Sequence, residues 1–313
     1  MIPDAQELMP DLEREVILRE AKHFDPLTRL EDFTKRFPLA MQTLHIGGVH
    51  PTENSSMDNP YTGEPDNKSS TNVGEHCVAA ACFAEVIAKE LKQREILTQA
   101  GVDQATEEAL KHDVNKRIDV FRKDAAVAGK LPVNDVYSPS GFVTIVPILI
   151  AQGYDQDTIA NIARAGRQTG YGSLKDFLTL QDGIPSLVPD KMVDKIIHLA
   201  DDMTATSIPR KGERALTVYL TPWEKMVVSD FPKRYPFYWT EGLAFDMQGE
   251  VVTVQDIEEA DRALRWVRPY VYWQPFISNE ICREVQGILD PESQEKPEYF
   301  VKDLVNSSLI SAT

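Results

Sequence analysis

The stretch EHCVAAACFAEVIAKELKQREIL, residues 75–97, is the tightest constraint on what this chain can become. It is Ala-rich, and Val78, Cys82, Val86 and Leu91 recur near helical spacing. Alanine is the best helix former, and an apolar stripe at that period buries one helix against others. Such an element needs helical partners, and the chain supplies them. Residues 103–113 read as a second helix, acidic early and with Lys111 and His112 late, which suits the helix dipole. KRIDVFRKDAAVAG predicts a third, ending at a glycine. SGFVTIVPILIAQGY and DQDTIANIARAG follow, the latter opening on Asp155 as a cap. VPDKMVDKIIHLADDMTAT, residues 188–206, is another amphipathic helix, with Pro189 near its start.

Around this core the signals change. Residues 4–44 hold two or three short helical patterns, including DLEREVILREA and LEDFTKRFPLAMQTL. Residues 47–73 are crowded with Gly, Pro, Asn and Ser and read as a long loop. Beyond Ser207 the pattern stays largely helical but turns aromatic, in DFPKRYPFYWTEGLAF and RWVRPYVYWQPF, residues that belong to a core more often than to a substrate wall. β-Branched alternation is confined to LTVYLT and EVVTV, enough for a minor hairpin. The expected fold is all-α. Residues 74–206 are its core, residues 1–73 an N-terminal helical segment with the long loop, and residues 207–313 an aromatic-rich helical extension packed on the core.

Composition narrows the function classes. A hydrophobic fraction of 42% over 313 residues supports a large core. The net charge of −16 speaks against polymeric nucleic acid, which needs clustered Lys and Arg, yet admits a small phosphorylated ligand held by a few local cations. Cys77, Cys82 and Cys282 form no CxxC pair and read as buried small hydrophobes of a reducing compartment. No apolar run approaches a membrane span, and the acidic N-terminus lacks a signal-peptide pattern. A cytoplasmic protein with no membrane partner is expected, and homo-oligomerisation stays open.

The chemistry lies in the histidines, which are His23, His45, His50, His76, His112 and His198. HExxH, GxSxG and paired CxxC motifs are absent, so zincin, serine-hydrolase and zinc-ribbon readings have no support. A divalent cation favours mixed imidazole and carboxylate ligands. His76 stands near the start of the first core helix. His112 and Asp113 close the second, as neighbours whose side chains leave a helix about 100° apart. That geometry makes a poor surface ion pair, but both can reach one point between helices. HLADDMT then adds Asp201 and Asp202 near the end of the last core helix.

Taken together, EHCVAAACFAEVIAKEL, ALKHDVNKRID and IIHLADDMT resemble the HD-domain metal-dependent phosphohydrolase superfamily over roughly residues 74–205. The resemblance implies an all-helical bundle holding divalent metal (manganese, iron, cobalt, nickel or zinc) through His76, His112, Asp113 and Asp201. Asp201 is preferred to Asp202 because the family's last motif is an Asp after a small residue, here Ala200. Asp113 is also the family's usual orienter of the attacking water. There are departures. HDVNK stands where HDIGK is common, so Asn115 replaces Gly while Lys116 keeps its place, and the Glu of some nucleotide-acting relatives is missing. Dinuclear relatives add two histidines before the final Asp. This chain has only His198 there, and Tyr171 sits where a further ligand would fall, so a mononuclear site or a weakly held second ion is expected.

For phosphate contact, Lys116 and Arg117 lie beside the HD pair. Arg164, Arg167 and Lys175 surround Gly166, Gly170 and Gly172, which reads either as an anion nest or as a helix C-cap with a solvated turn. The resemblance implies metal-dependent hydrolysis of a small phosphate ester or nucleotide. The rivals are an iron-dependent oxygenase or lyase on the same scaffold, and a non-catalytic regulatory protein.

Overall fold

A computed structural model describes residues 10–46, 50–51, 73–114, 188–206, 217–228, 237–240, 243–246 and 270–310, with single positions between 150 and 159. Its elements run α1 (Pro10–Glu20), β1 (His23–Phe24), a 3-10 turn (Pro26–Arg29), α2 (Leu30–Arg36), α3 (Pro38–Ile46), α4 (Val73–Gln93) and α5 (Gln99–Lys111). After these come α6 (Met192–Asp202), β2 (Thr204–Thr206), β3 (Thr217–Tyr219), α7 (Pro222–Val228), β4 (Phe237–Thr240), β5 (Leu243–Asp246), α8 (Tyr270–Leu289) and α9 (Pro297–Ile310). The described residues are mostly helical, as expected.

The Ala-rich stretch forms α4, and its small side chains explain its central place. Every residue from Cys77 to Ala84 is fully buried, so α5 packs along it closely, with α6, α8 and α9 also against it. Val78, Cys82 and Leu91 are fully buried, and Val86 packs half-buried on the same core. One hydrophobic cluster collects Phe33 and Leu44 from the N-terminal segment, Phe83, Leu110 and Leu199 from the centre, and Ile281 and Val305 from the C-terminal helices. The three cysteines are unbridged and buried in it or beside it.

Element boundaries differ from the sequence reading in instructive places. α5 begins a turn earlier than residue 103, because the Thr98 side chain accepts from Gly101 N–H (3.2 Å) and caps the helix there. LEDFTKRFPLAMQTL breaks into α2 and α3 at Pro38, where Phe37 leaves helical geometry (φ −127°, ψ 57°), as a residue before proline tends to. α6 occupies only the middle of residues 188–206, and Thr204–Thr206 instead pair with β3 (Thr204 opposite Tyr219). DFPKRYPFYWTEGLAF, expected to be largely helical, contains the β4–β5 hairpin with Tyr238 opposite Phe245, consecutive aromatics favouring a pleated surface. LTVYLT does supply a strand, β3.

A three-stranded antiparallel sheet in the order β1-β3-β2 ties the N-terminal segment, the end of α6 and the C-terminal extension together. Tyr219 anchors it to α4 by donating to the Ala79 carbonyl (3.1 Å). The expected helix KRIDVFRKDAAVAG, the strand EVVTV, most of the 47–73 loop, and SGFVTIVPILIAQGY apart from Ile150 and Gly153 lie outside the described residues. Of DQDTIANIARAG, one helical bond is described, Ile159 N–H to the Asp155 carbonyl (3.1 Å), where the cap was expected.

Glu85 fastens the N-terminal segment onto α4. Its buried carboxylate accepts from Arg29 and Arg36, both at 2.6 Å, and lies 3.1 Å from Lys89. Burial pushes this carboxyl up, but hydrogen bonding and charge from Arg36 and Arg29 outweigh it and hold the group below its ordinary value. Its stabilisation is therefore present above the unfolded-state value, about pH 4.3, and lost as pH falls through the folded one. Glu85→Gln should cost about 2 kcal/mol, below the usual range for a broken buried pair because both guanidiniums stay partly in water. Denaturant midpoints between pH 7 and pH 3 check this. A variant with wild-type stability and an unchanged acid slope would contradict the clamp.

Candidate metal centre

Three helix ends converge on one point. His76 lies in the first turn of α4, His112 forms the C-cap of α5 with Asp113 in the turn that follows, and Asp201 is the penultimate residue of α6. α4, α5 and α6 pack on one another, which brings His76 and Asp201 together across 125 residues of chain. All four sequence-expected ligands are in this cluster, each offering a ligand atom within 4.8 Å of every other.

The separations test whether a metal fits. Nε2 of His76 is 3.0 Å from Oδ1 of Asp201 and 3.2 Å from Nε2 of His112. Nε2 of His112 is 3.4 Å from Asp201 Oδ1, and both imidazole nitrogens are 3.6 Å from Asp113 Oδ2. Donors about 2.1 Å from an ion lie about 3.0 Å apart at right angles and about 3.4 Å apart at the tetrahedral angle. Five of the six separations run from the first of these values to slightly beyond the second, and the sixth, between Asp113 and Asp201, is within 4.8 Å. The donor set of two imidazoles and two carboxylates suits manganese, iron, cobalt, nickel or zinc more than calcium or magnesium, which favour all-oxygen shells. The residues fit a divalent metal.

Orientation supports the same conclusion. His112 Nδ1 is 2.7 Å from the Ala109 carbonyl, which can only accept, so Nδ1 carries a proton and Nε2 is the ring atom turned to the cluster. Burial lowers the His76 imidazole below its ordinary value, only partly offset by its hydrogen bond to Asp201. Burial also disfavours charge on His112, yet Asp113 and Asp201 outweigh it and hold that ring well above its ordinary value. Asp201 is held well below the carboxylate range despite burial, by Lys225 and His112. A carboxylate kept ionised at a buried place, as Asp201 is, can receive a cation.

The adjacent His198 and Asp202 belong elsewhere. Oδ2 of Asp202 lies 3.1 Å from His198 Nε2, and Ser278 of α8 donates its hydroxyl to the same oxygen. His198 thus shares a helix face with Asp202, four residues on, and not with the metal ligand. Asp201, three residues after His198, takes no part in that pairing, and the choice of Asp201 over Asp202 agrees with the cluster.

Lys225 was not picked out from the sequence. It comes from α7, in the C-terminal extension, and its ammonium donates to the Asp201 carbonyl while standing 3.9 Å from Asp201 Oδ1. Only the cap motif ahead of it, Thr-Pro-Trp-Glu, is a local signal that this segment is held in place. Lys116, Arg117, Arg164, Arg167, Lys175 and Tyr171 lie outside the described residues.

No helix among the described residues is long and apolar enough to cross a membrane. No family model matches the chain, and no curated protein or solved structure is significantly similar to it.

Proposed function

We propose that the protein is a metal-dependent hydrolase of a small phosphate ester or nucleotide, built on an HD-type site. The observation that carries this reading is the His76–His112–Asp113–Asp201 cluster, with five of its six donor spacings at 3.0 to 3.6 Å. A divalent ion bound there supplies Lewis acidity toward a phosphoryl oxygen and acidifies water. The chain's own residues do the rest. With an ion bound, His76 and His112 would turn their Nε2 lone pairs to it, the His112 ring held in place by the Ala109 carbonyl. Asp201 brings negative charge, and Asp113 is the residue assigned to orient the attacking water. Lys116 and Arg117, next in the chain, are the proposed partners of the phosphoryl charge. The small number of histidine donors in the cluster favours hydrolysis over dinuclear oxygen chemistry.

Metal analysis of the purified chain followed by a phosphate-ester panel, with manganese, iron and cobalt in turn beside an oxygen electrode, tests this. Phosphate release that needs added or bound metal is the expected result. Silence on every ester, with oxygen uptake on an organic substrate, would transfer the site to an oxygenase. Protein that binds no metal at all would make it a non-catalytic regulator.

A further inference from the structure

We infer that Lys225 receives the anionic end of the substrate at the metal centre, an inference that rests on the metal-site reading above. Charge gives the first argument. Among the described groups, Asp113 and Asp201 together bring −2, which a divalent cation would cancel, so that Lys225 adds an uncompensated positive charge beside it. A cation beside a ligand carboxylate opposes a metal at that same oxygen, so metal binding by itself gains nothing from the lysine. A phosphoryl anion does.

Distance gives the second argument. Nζ is 3.9 Å from Asp201 Oδ1, so an ion about 2.1 Å from that oxygen lies at most about 6 Å from the ammonium. A phosphate bound to the ion spans such a gap. The ammonium has three donors, and the Asp201 carbonyl takes one. The side chain is 19% exposed, so a ligand can reach it.

The third argument is how firmly the lysine is held. α7 has only seven residues, too few to persist unaided. Its start is a reciprocal capping box: Thr221 N–H donates to Glu224 Oε2 (2.7 Å), and Glu224 N–H donates to Thr221 Oγ1 (3.2 Å). Lys302 of α9 then grips Glu224 at 2.8 Å, and Trp223 meets Phe276 of α8 edge-on, with centroids 5.0 Å apart. Leu220 N–H joins the Met203 carbonyl (2.9 Å), pinning the approach to α7 against the end of α6. The residue so fixed beside the cluster is Lys225.

The test uses the full chain loaded with manganese and inorganic phosphate as the probe, with phosphorus line broadening reporting phosphate near the ion and mass spectrometry reporting metal content. Wild type should bind phosphate. Lys225→Met should keep its manganese yet bind phosphate about tenfold or more weakly, the usual worth of a charged donor, while Lys225→Arg should recover most of the affinity. Wild-type phosphate affinity in Lys225→Met would overturn the assignment, leaving the lysine as a cap on the Asp201 carbonyl. Loss of manganese in Lys225→Met, or no phosphate binding by loaded wild type, would overturn it equally. Lys225-dependent phosphate binding by a protein that cleaves no ester would instead sink the hydrolase reading and leave this one standing.

Discussion

Replacing His112 and Asp113 together by alanine should leave the purified protein with almost no divalent metal. The pair supplies two of the four donors, and the survivors, His76 Nε2 and Asp201 Oδ1, already sit 3.0 Å apart and can satisfy one another. No other described histidine stands in the cluster. His198 pairs with Asp202, and His45 stacks on His50 with ring centroids 3.6 Å apart. The fold should survive, since His112 and Asp113 follow the last helical residue of α5 and the substitution removes charge from a buried place rather than adding it. Metal content after exhaustive dialysis, with helicity as a control, is the measurement. A folded double variant that retains full metal would refute the ligand assignment.

Asp201→Asn and Asp202→Asn should behave oppositely, although they are neighbours. Asp201 points into the cluster and gives up an anionic ligand on conversion to the amide, so metal affinity should fall by at least about the 10- to 100-fold seen for disturbed metal shells. Asp202 is turned to Ser278 and His198, holding α6 to α8. Its conversion should leave metal content intact and cost about 1–3 kcal/mol of stability, the range for a weakened buried hydrogen bond to a charged group. Metal titration and denaturant unfolding on both variants separate the two roles. Equal metal loss from both would show that the carboxylates share the site.

The two outcomes also measure what could be read locally. The α4 helix was legible because alanine content and the spacing of Val78, Cys82 and Leu91 are properties of neighbours along the chain, and those three residues are fully buried. His76, His112, Asp113 and Asp201 were legible through motif order, since each sits at a helix end that local pattern could place. Pro38 and Thr98 were equally visible in the sequence, yet the boundaries they set at α3 and α5 were misplaced, because a long apolar pattern outweighed one turn of capping chemistry.

Other features have no local signature. That Asp202 belongs to Ser278 depends on α8 lying against α6, a contact between residues 76 positions apart. The β4–β5 hairpin and the pairing of Thr204–Thr206 with β3 depend on a partner strand, without which an aromatic or threonine-rich stretch is equally well read as helix or loop. Lys225 is the clearest case. Its neighbours announce a capped helix, but only the seating of α7 on α1 and α8, with Leu220 N–H on the Met203 carbonyl, sets its ammonium beside Asp201. The sequence by itself determined the helical character of the core and the residue types of the candidate cluster, because periodicity and residue type act over a few positions. Tertiary packing decided which carboxylate faces the candidate cluster and which lysine lies beside it, because that convergence is between helices that no local interaction holds together.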